Sequence, residues 1–201
     1  MTKKKNKPSR PVLRAPQPPE AALLERARLA HAAGALGEAT TLAEQAYLAA
    51  PARLDVLYLL SACWVSRGDQ DRALEYARQA TEVAPADPKV WNHLGWCHLR
   101  LRQFREAKEA YLRAISADPN LAEAYFSLAR AEAGQGEATA AADHLVQALT
   151  LDRTLAERAR RELSGLASQP ALAEWMAPPK EKRPAKRKPA RKTPPAKKRR
   201  R

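Results

Sequence analysis

The chain has 201 residues, with 36 lysines and arginines against 22 aspartates and glutamates, which gives a formal net charge of +14. Two cysteines are too few for a disulfide framework, and no apolar run approaches the roughly 18 residues of a membrane span. The start of the chain is basic but lacks the apolar segment of a signal peptide, so we expect a cytoplasmic protein, with the nucleus or nucleoid as alternatives raised by its basic tail.

The positive charge lies at the two ends of the chain. Residues 1–19 carry six basic residues and no acidic one, whereas residues 177–201 carry thirteen basic residues and a single acidic residue, Glu181. Residues 20–176 therefore hold 17 basic and 21 acidic residues, a net charge of −4. This composition predicts a folded, mildly acidic middle between two disordered basic tails.

A period of about 34 residues, a length typical of repeat proteins, runs through the middle of the chain. Alanine recurs at Ala39, Ala73, Ala107 and Ala141, and again at Ala46, Ala80, Ala114 and Ala148. Proline follows the same step at Pro51, Pro85 and Pro119, large residues at Leu23, Leu57, Trp91 and Tyr125, and small residues at Ala27, Ser61, Gly95 and Ala129. Five columns in one phase indicate a stack of identical supersecondary units.

Each unit is predicted to form two helices. In the third unit, VWNHLGWCHLRL places Trp91, Leu94, Gly95 and His98 on one face at helical spacing. The turn falls at Gln103, and FREAKEAYLRAISA forms the second helix until Pro119, which has no amide hydrogen to continue it. The second unit is expected to turn at Gly68 and the fourth between Gly134 and Gly136.

The third unit resembles the tetratricopeptide repeat (TPR) family, whose signature is W-x2-L-G-x2-Y, then A-x3-F, then P. The matching residues are Trp91, Leu94, Gly95, His98 in place of tyrosine, Ala107, Tyr111 in place of phenylalanine, and Pro119. The resemblance covers residues 20–153 and departs from the pattern at Arg26 and Arg153 in the terminal units. It implies an all-α solenoid of four TPR hairpins at 20–53, 54–87, 88–121 and 122–155, in which Gly95 and Ala107 allow two helices to cross closely.

The segment after the fourth unit is expected to cover the open end of the stack. LAERARRELSGL places Leu155, Ala159, Leu163 and Leu166 on one side of a helix, which predicts a C-terminal capping helix region over 156–176. Gly165 and Pro170 bracket the end of that helix, and Trp175 either docks on the cap or stays free.

The stretch WNHLGWCH, residues 91–98, invites a metal-binding interpretation, because His93 and Cys97 share a helical face. No further ligands accompany them, and Cys97 lies one repeat period after Cys63 in a column that suits a small apolar residue, so we interpret the stretch as packing. The sequence contains no phosphate-binding loop and no nucleophile elbow. We therefore expect no enzyme activity, no cofactor and no metal.

The resemblance implies that the first helix of each unit lines a concave groove that binds a protein or peptide partner. The implied groove residues are Leu24, Arg28, Asp55, Tyr58, Ala62, Val65, Lys89, Asn92, Trp96, Leu99, Glu123, Phe126 and Arg130. We expect Tyr58, Trp96 and Phe126 to be exposed aromatic anchors, and the alternative is that Trp96 and Phe126 pack against neighbouring helices.

Two TPR subclasses are weaker matches. The subclass that clamps chaperone carboxylates uses Lys, Asn and Arg at five groove positions. At these positions this chain has Leu24, Arg28, Leu59, Lys89 and His93, of which only Lys89 fits. A secretion-type TPR chaperone, similar in GWCHLRLRQFREAKEAYLRAI, is kept as a minor alternative.

The C-terminal tail is predicted to contact nucleic acid or another polyanion without base readout. Its candidate residues are Lys186, Arg187, Lys188, Arg191, Lys192, Lys197, Lys198, Arg199, Arg200 and Arg201. The alternatives are a merely solubilising tail and a tail that contacts the acidic middle of its own chain. The sequence thus favours a protein-interaction scaffold with polyanion-binding tails over a nucleic-acid-binding protein that acts mainly through those tails.

Overall fold

The structure, a computed structural model, describes residues 19–176. Within this range the chain forms helices and turns and no strand, and no helix is long and apolar enough to cross a membrane. The first eight helices are α1 (Pro19–Ala32), α2 (Leu36–Ala49), α3 (Leu54–Arg67), α4 (Gln70–Val83), α5 (Pro88–Arg100), α6 (Phe104–Ala117), α7 (Ala122–Gln135) and α8 (Ala138–Leu151). Two short helices follow, α9 (Ala156–Glu162) and α10 (Ala173–Met176). The predicted all-α solenoid of four hairpins with a C-terminal cap is confirmed.

The helices pack as the pairs α1–α2, α3–α4, α5–α6 and α7–α8. Each second helix also packs on the first helix of the next pair, and the first helices α1, α3, α5 and α7 contact one another in sequence. One side of the stack is therefore built from first helices alone, which is the side where the groove is expected.

Small residues set the spacing of the helices. Both alanine columns, from Ala39 to Ala141 and from Ala46 to Ala148, are fully buried. At Gly95 of α5, an added Cβ would lie 2.7 Å from the ring of Tyr111 on α6, closer than carbon atoms normally approach. The predicted close crossing at Gly95 is thus present, and Tyr111 is the side chain that fills the space.

The four turns between paired helices share one hydrogen-bond pattern. The amide of Gly68 donates to the carbonyl of Val65, and the next amide donates to the carbonyl of Trp64, as in a Schellman motif. The same bonds recur at Gly34, Arg102 and Gly136, and these residues have φ values of 79°, 61° and 83°. Glycine adopts this left-handed conformation freely, whereas in Arg102 it costs roughly 1–2 kcal/mol.

The cap begins in register with the repeats, because α9 starts at Ala156, one repeat period after α7 starts at Ala122. The expected residues Leu155, Ala159, Leu163 and Leu166 are all buried. However, α9 ends at Glu162 rather than at Gly165, and short 3-10 segments then return Leu166 and Leu172 to α8. Trp175 docks on the same cluster, with the Arg153 guanidinium 4.8 Å from its ring centroid.

Candidate functional site: a cleft on the first helices

A cleft of about 410 Å³ opens between α3, α5 and α7 on the side built from first helices. Its lining residues are Tyr58, Ala62, Lys89, Asn92, His93, Trp96, Glu123 and Ser127. Six of these were predicted groove residues, and the structure brings them together from three units of the repeat. We call this the central cleft.

One wall of the central cleft is a row of three rings. The imidazole of His93 is tilted against the ring of Tyr58, at a centroid distance of 4.4 Å, and stacks with Trp96, at 5.5 Å. Its Nε2 is 2.5 Å from the Ser61 hydroxyl oxygen, and the Ser61 hydroxyl donates to the Tyr58 carbonyl at 2.9 Å. Burial lowers the pKa of His93 to about 4, so the ring is neutral at pH 7 and presents an uncharged, flat wall.

Two residues that line the central cleft each carry a buried polar atom without a hydrogen-bond partner among residues 19–176, namely the Tyr58 hydroxyl and Asn92 Oδ1. Burial, and secondarily the Asp87 carboxylate, raises the pKa of Tyr58 to about 12, so its hydroxyl remains a donor at pH 7. A buried polar atom without a partner costs about 1–3 kcal/mol.

The two charged residues that line the central cleft differ in whether they are paired. Both carboxylate oxygens of Glu123 accept from Nη1 of Arg158 on α9, at 2.7 and 2.9 Å. Lys89 is exposed and forms no ion pair within the described range of the chain. The cap therefore neutralises the only lining carboxylate in that range, and the cleft keeps the positive charge of Lys89.

A family model described as tetratricopeptide repeat matches residues 88–121. The solved TPR domain of Sgt2 from Aspergillus fumigatus is 30% identical, with a TM-score of 0.54, over 62% of this chain and 83% of that chain. The chain belongs to the tetratricopeptide repeat family. A thermophilic TPR protein of Thermus thermophilus shares the fold, with a TM-score of 0.65 and 24% identity over 78% of this chain and 86% of that one.

Two curated TPR relatives match over half of the chain. A peroxisomal targeting signal receptor of Eremothecium gossypii is 31% identical over 116 residues, which is 58% of this chain and 19% of the receptor. A heat-shock protein cognate co-chaperone, sgt12, of Aspergillus fumigatus is 33% identical over 106 residues, 53% of this chain and 31% of the relative. The chain thus spans less than a third of the length of either protein.

Four of the predicted TPR groove residues are buried rather than available to a partner: Leu24, Val65, Leu99 and Phe126. The prediction that Phe126 is an exposed anchor is wrong, because its ring is 0% exposed. Phe126 packs in the cluster of Leu155 and Ala159, and the Arg158 guanidinium lies 4.5 Å from its centroid. The cap therefore covers the groove position that the repeat register alone would leave open.

The remaining predicted groove residues lie at the two ends of the surface formed by the first helices. Arg28 on α1 is 4.0 Å from Asp55, which also pairs with Arg53 at 2.8 Å. Arg130 on α7 pairs with Glu162 of α9 at 3.2 Å. The predicted surface is thus divided into an N-terminal ion-pair cluster, the central cleft and a C-terminal end held by the cap.

The sequence reasoning missed His93 and Ser127 as lining residues of the TPR cleft. The helical spacing carried a signal for His93, which lies four residues after Lys89 and three before Trp96. The structure also places Cys97 Sγ 3.7 Å from His93 Nε2, and burial raises the pKa of the Cys97 thiol to about 12. In the described part of the chain, no group of three or more His, Cys, Asp or Glu side chains is placed to hold a metal.

Proposed function

We propose that this TPR protein is a non-enzymatic scaffold that holds a peptide or a partner domain in the central cleft. The observation that carries the proposal is the central cleft itself, which brings Tyr58, Trp96 and Ser127 together from three units of the repeat. An extended peptide offers a carbonyl acceptor and an amide donor at every residue, so its backbone can bond to exposed polar side chains that line the cleft, such as that of Lys89. The indole of Trp96 beside them supplies apolar surface for a side chain of that peptide.

The relatives support this class of function. One is named a receptor for a peroxisomal targeting signal and the other a co-chaperone of a heat-shock protein cognate, and both names describe proteins that act on other proteins. The chaperone carboxylate clamp is a poorer proposal for this chain, because Leu24 and Leu59 stand at two clamp positions and are buried. We therefore propose a peptide held by its backbone and by one apolar side chain.

Capture followed by mutation tests this proposal. The full chain is used to isolate partners from nuclease-treated lysate, and the captured partner is then titrated against Trp96→Ala. The matched control is Leu112→Ala on α6, which removes a 49% exposed apolar side chain outside the cleft. We expect Trp96→Ala to weaken binding about tenfold or more and Leu112→Ala to leave it unchanged. Equal affinities of the two variants would refute binding in the central cleft.

We also propose that the basic tails contact nucleic acid or another polyanion. The support is the charge of the sequence alone, +12 in residues 177–201 against −4 in residues 20–176. The tails, including the ten candidate residues named from the sequence, lie outside the described residues.

A further inference from the structure

Arg102 occupies a backbone position where the other three units have glycine. The turn residues Gly34, Gly68, Arg102 and Gly136 follow one another at the repeat period and make the same hydrogen bonds. Arg102 is the only non-glycine residue with positive φ among residues 19–176. Glycine would adopt this backbone conformation without strain. The presence of a strained arginine therefore indicates a role for its side chain.

The side chain of Arg102 lines a pocket of about 530 Å³ at the C-terminal end of α5. Its lining residues include the apolar Leu99, Phe104 and Leu163 and the three arginines Arg100, Arg102 and Arg130. The ring of Phe104 rests on Gly134, where an added Cβ would lie 2.5 Å from it. We call this the Arg102 pocket, and it shares no lining residue with the central cleft.

Two of the three guanidinium groups are not neutralised by the described chain. Arg130 pairs with Glu162 at 3.2 Å, and Glu162 is shared with Arg158 at 3.0 Å. Arg100 and Arg102 form no ion pair within residues 19–176, and the nearest aromatic partner of Arg102 is Phe104, 5.4 Å from its guanidinium carbon to the ring centroid. The pocket thus combines the unpaired positive charges of Arg100 and Arg102 with the apolar surface of its other lining residues.

We propose that the Arg102 pocket binds an acidic side chain adjacent to an apolar residue in a protein partner. The guanidinium groups of Arg100 and Arg102 would hold the carboxylate through charge-assisted hydrogen bonds, and the apolar residue would pack between Phe104 and Leu163. A nucleic-acid strand suits the pocket less well, because Glu162 also lines it and residues 20–176 are net negative. The inference is independent of the central cleft, so either site can fail without the other.

The first test separates a binding role of Arg102 from a structural one. Arg102→Gly restores the residue found at the three equivalent turns, so we expect the melting temperature to rise by about 2–4 °C. Arg100→Gln removes the second guanidinium without changing the turn, and Arg26→Gln, exposed on α1 and far from the pocket along the stack, is the charge-matched control.

Binding is measured by methyl NMR on the full chain, following the resonances of Leu99 and Leu163. The probe is N-acetyl-leucyl-glutamate amide, with the glutamine analogue, inorganic phosphate and a short DNA duplex as comparisons. A single carboxylate contacts the basic tails only weakly, and the two leucines report the pocket itself. We expect saturable shifts with the glutamate probe, far smaller shifts with its glutamine analogue, and affinities about tenfold lower in Arg102→Gly and Arg100→Gln.

Three outcomes would overturn the inference. The first is that the glutamate probe shifts neither leucine, or no more than its glutamine analogue does. The second is that phosphate or DNA shifts them as strongly, which would make the pocket a general anion or nucleic-acid site. The third is that Arg102→Gly binds the probe as tightly as Arg26→Gln does. If the melting temperature of Arg102→Gly is also lowered, the side chain of Arg102 stabilises the fold through its contact with Phe104 and does not bind a ligand.

Discussion

His93, which invites a metal-binding interpretation in the sequence, lies in the aromatic wall of the central cleft in the structure. The ring contacts Tyr58 and Trp96 and is bonded to Ser61, so two aromatic contacts and one hydrogen bond hold its position. The buried Cys97 thiol completes its surroundings, with a raised pKa that keeps it protonated. These contacts give His93 the role of holding the aromatic wall of the central cleft in place.

The pKa of His93 predicts an acid-sensitive stability. Because burial lowers this pKa from 6.5 to about 4, the unfolded chain binds more protons than the folded protein between those values. The folded state is therefore destabilised as pH falls through that window, by about 2 kcal/mol at pH 5 relative to pH 7. In His93→Gln, we expect the loss of unfolding free energy between pH 7 and pH 5 to be smaller by that amount.

Urea unfolding of the wild type and of His93→Gln at both pH values measures this difference directly, since all other titrating groups are common to the two proteins. An equal loss of stability in both proteins would show that His93 is protonated as readily in the folded state as in the unfolded chain.

Among individual residues, the sequence predicted the positions of those that the repeat register places. Lys89, Asn92 and Trp96 fall at groove positions of the third unit and line the central cleft. Phe126 obeys the same register, but its burial depends on Arg158 and Ala159 of the cap, which follow the fourth unit. The strain at Arg102 was likewise missed, although the column Gly34, Gly68 and Gly136 contained the signal.

At the scale of helices, the crossing of α5 and α6 depends on Gly95. Replacing Gly95 with leucine forces a branched side chain into space held by the fully buried Tyr111, so we expect a loss of about 1–3 kcal/mol in unfolding free energy. The control is Gly37→Ala in α2, where an added Cβ meets nothing within 4 Å. That change should leave stability unchanged or raise it by up to about 1 kcal/mol.

Chemical denaturation of both variants checks this pair of predictions. A Gly95→Leu protein as stable as Gly37→Ala would mean that α5 and α6 can separate at no cost. Retained helicity with a lower unfolding midpoint is the expected result, because the crossing affects packing between helices rather than their formation.

The helix pairs were predictable because each pair repeats the same pattern of residues. Each repeat position therefore gives the same structural information in all four units. The cap occurs once, so its helix could be located from Leu155, Ala159 and Leu163 but its end could not. Ser164 and Gly165 are weak helix formers, and the buried Leu166 and Leu172 stabilise a bent path over α8 in preference to a longer helix.

At the scale of the whole molecule, the chain separates opposite charges. The solenoid and its cap carry −4, while the segments on either side carry +6 and +12. The ion pairs of the described region are local, for example Glu123 with Arg158 and Arg130 with Glu162. A polyanion attracted by the tails would therefore meet a solenoid that does not add to its affinity, which leaves the central cleft free for a different partner.

This division predicts that residues 177–201 supply most of any nucleic-acid affinity. Thirteen basic residues release condensed counterions when they contact phosphates, so affinity for duplex DNA should fall with salt by about six log units per log unit if half of them engage. We expect deletion of 177–201 to remove most of the binding, Trp96→Ala to leave it intact, and duplexes of different sequence to bind alike. Fluorescence anisotropy of labelled DNA and RNA at several salt concentrations measures all three effects. Binding by residues 1–176 that is as tight as that of the full chain, or binding that is insensitive to salt, would show that residues 177–201 are not the main nucleic-acid element.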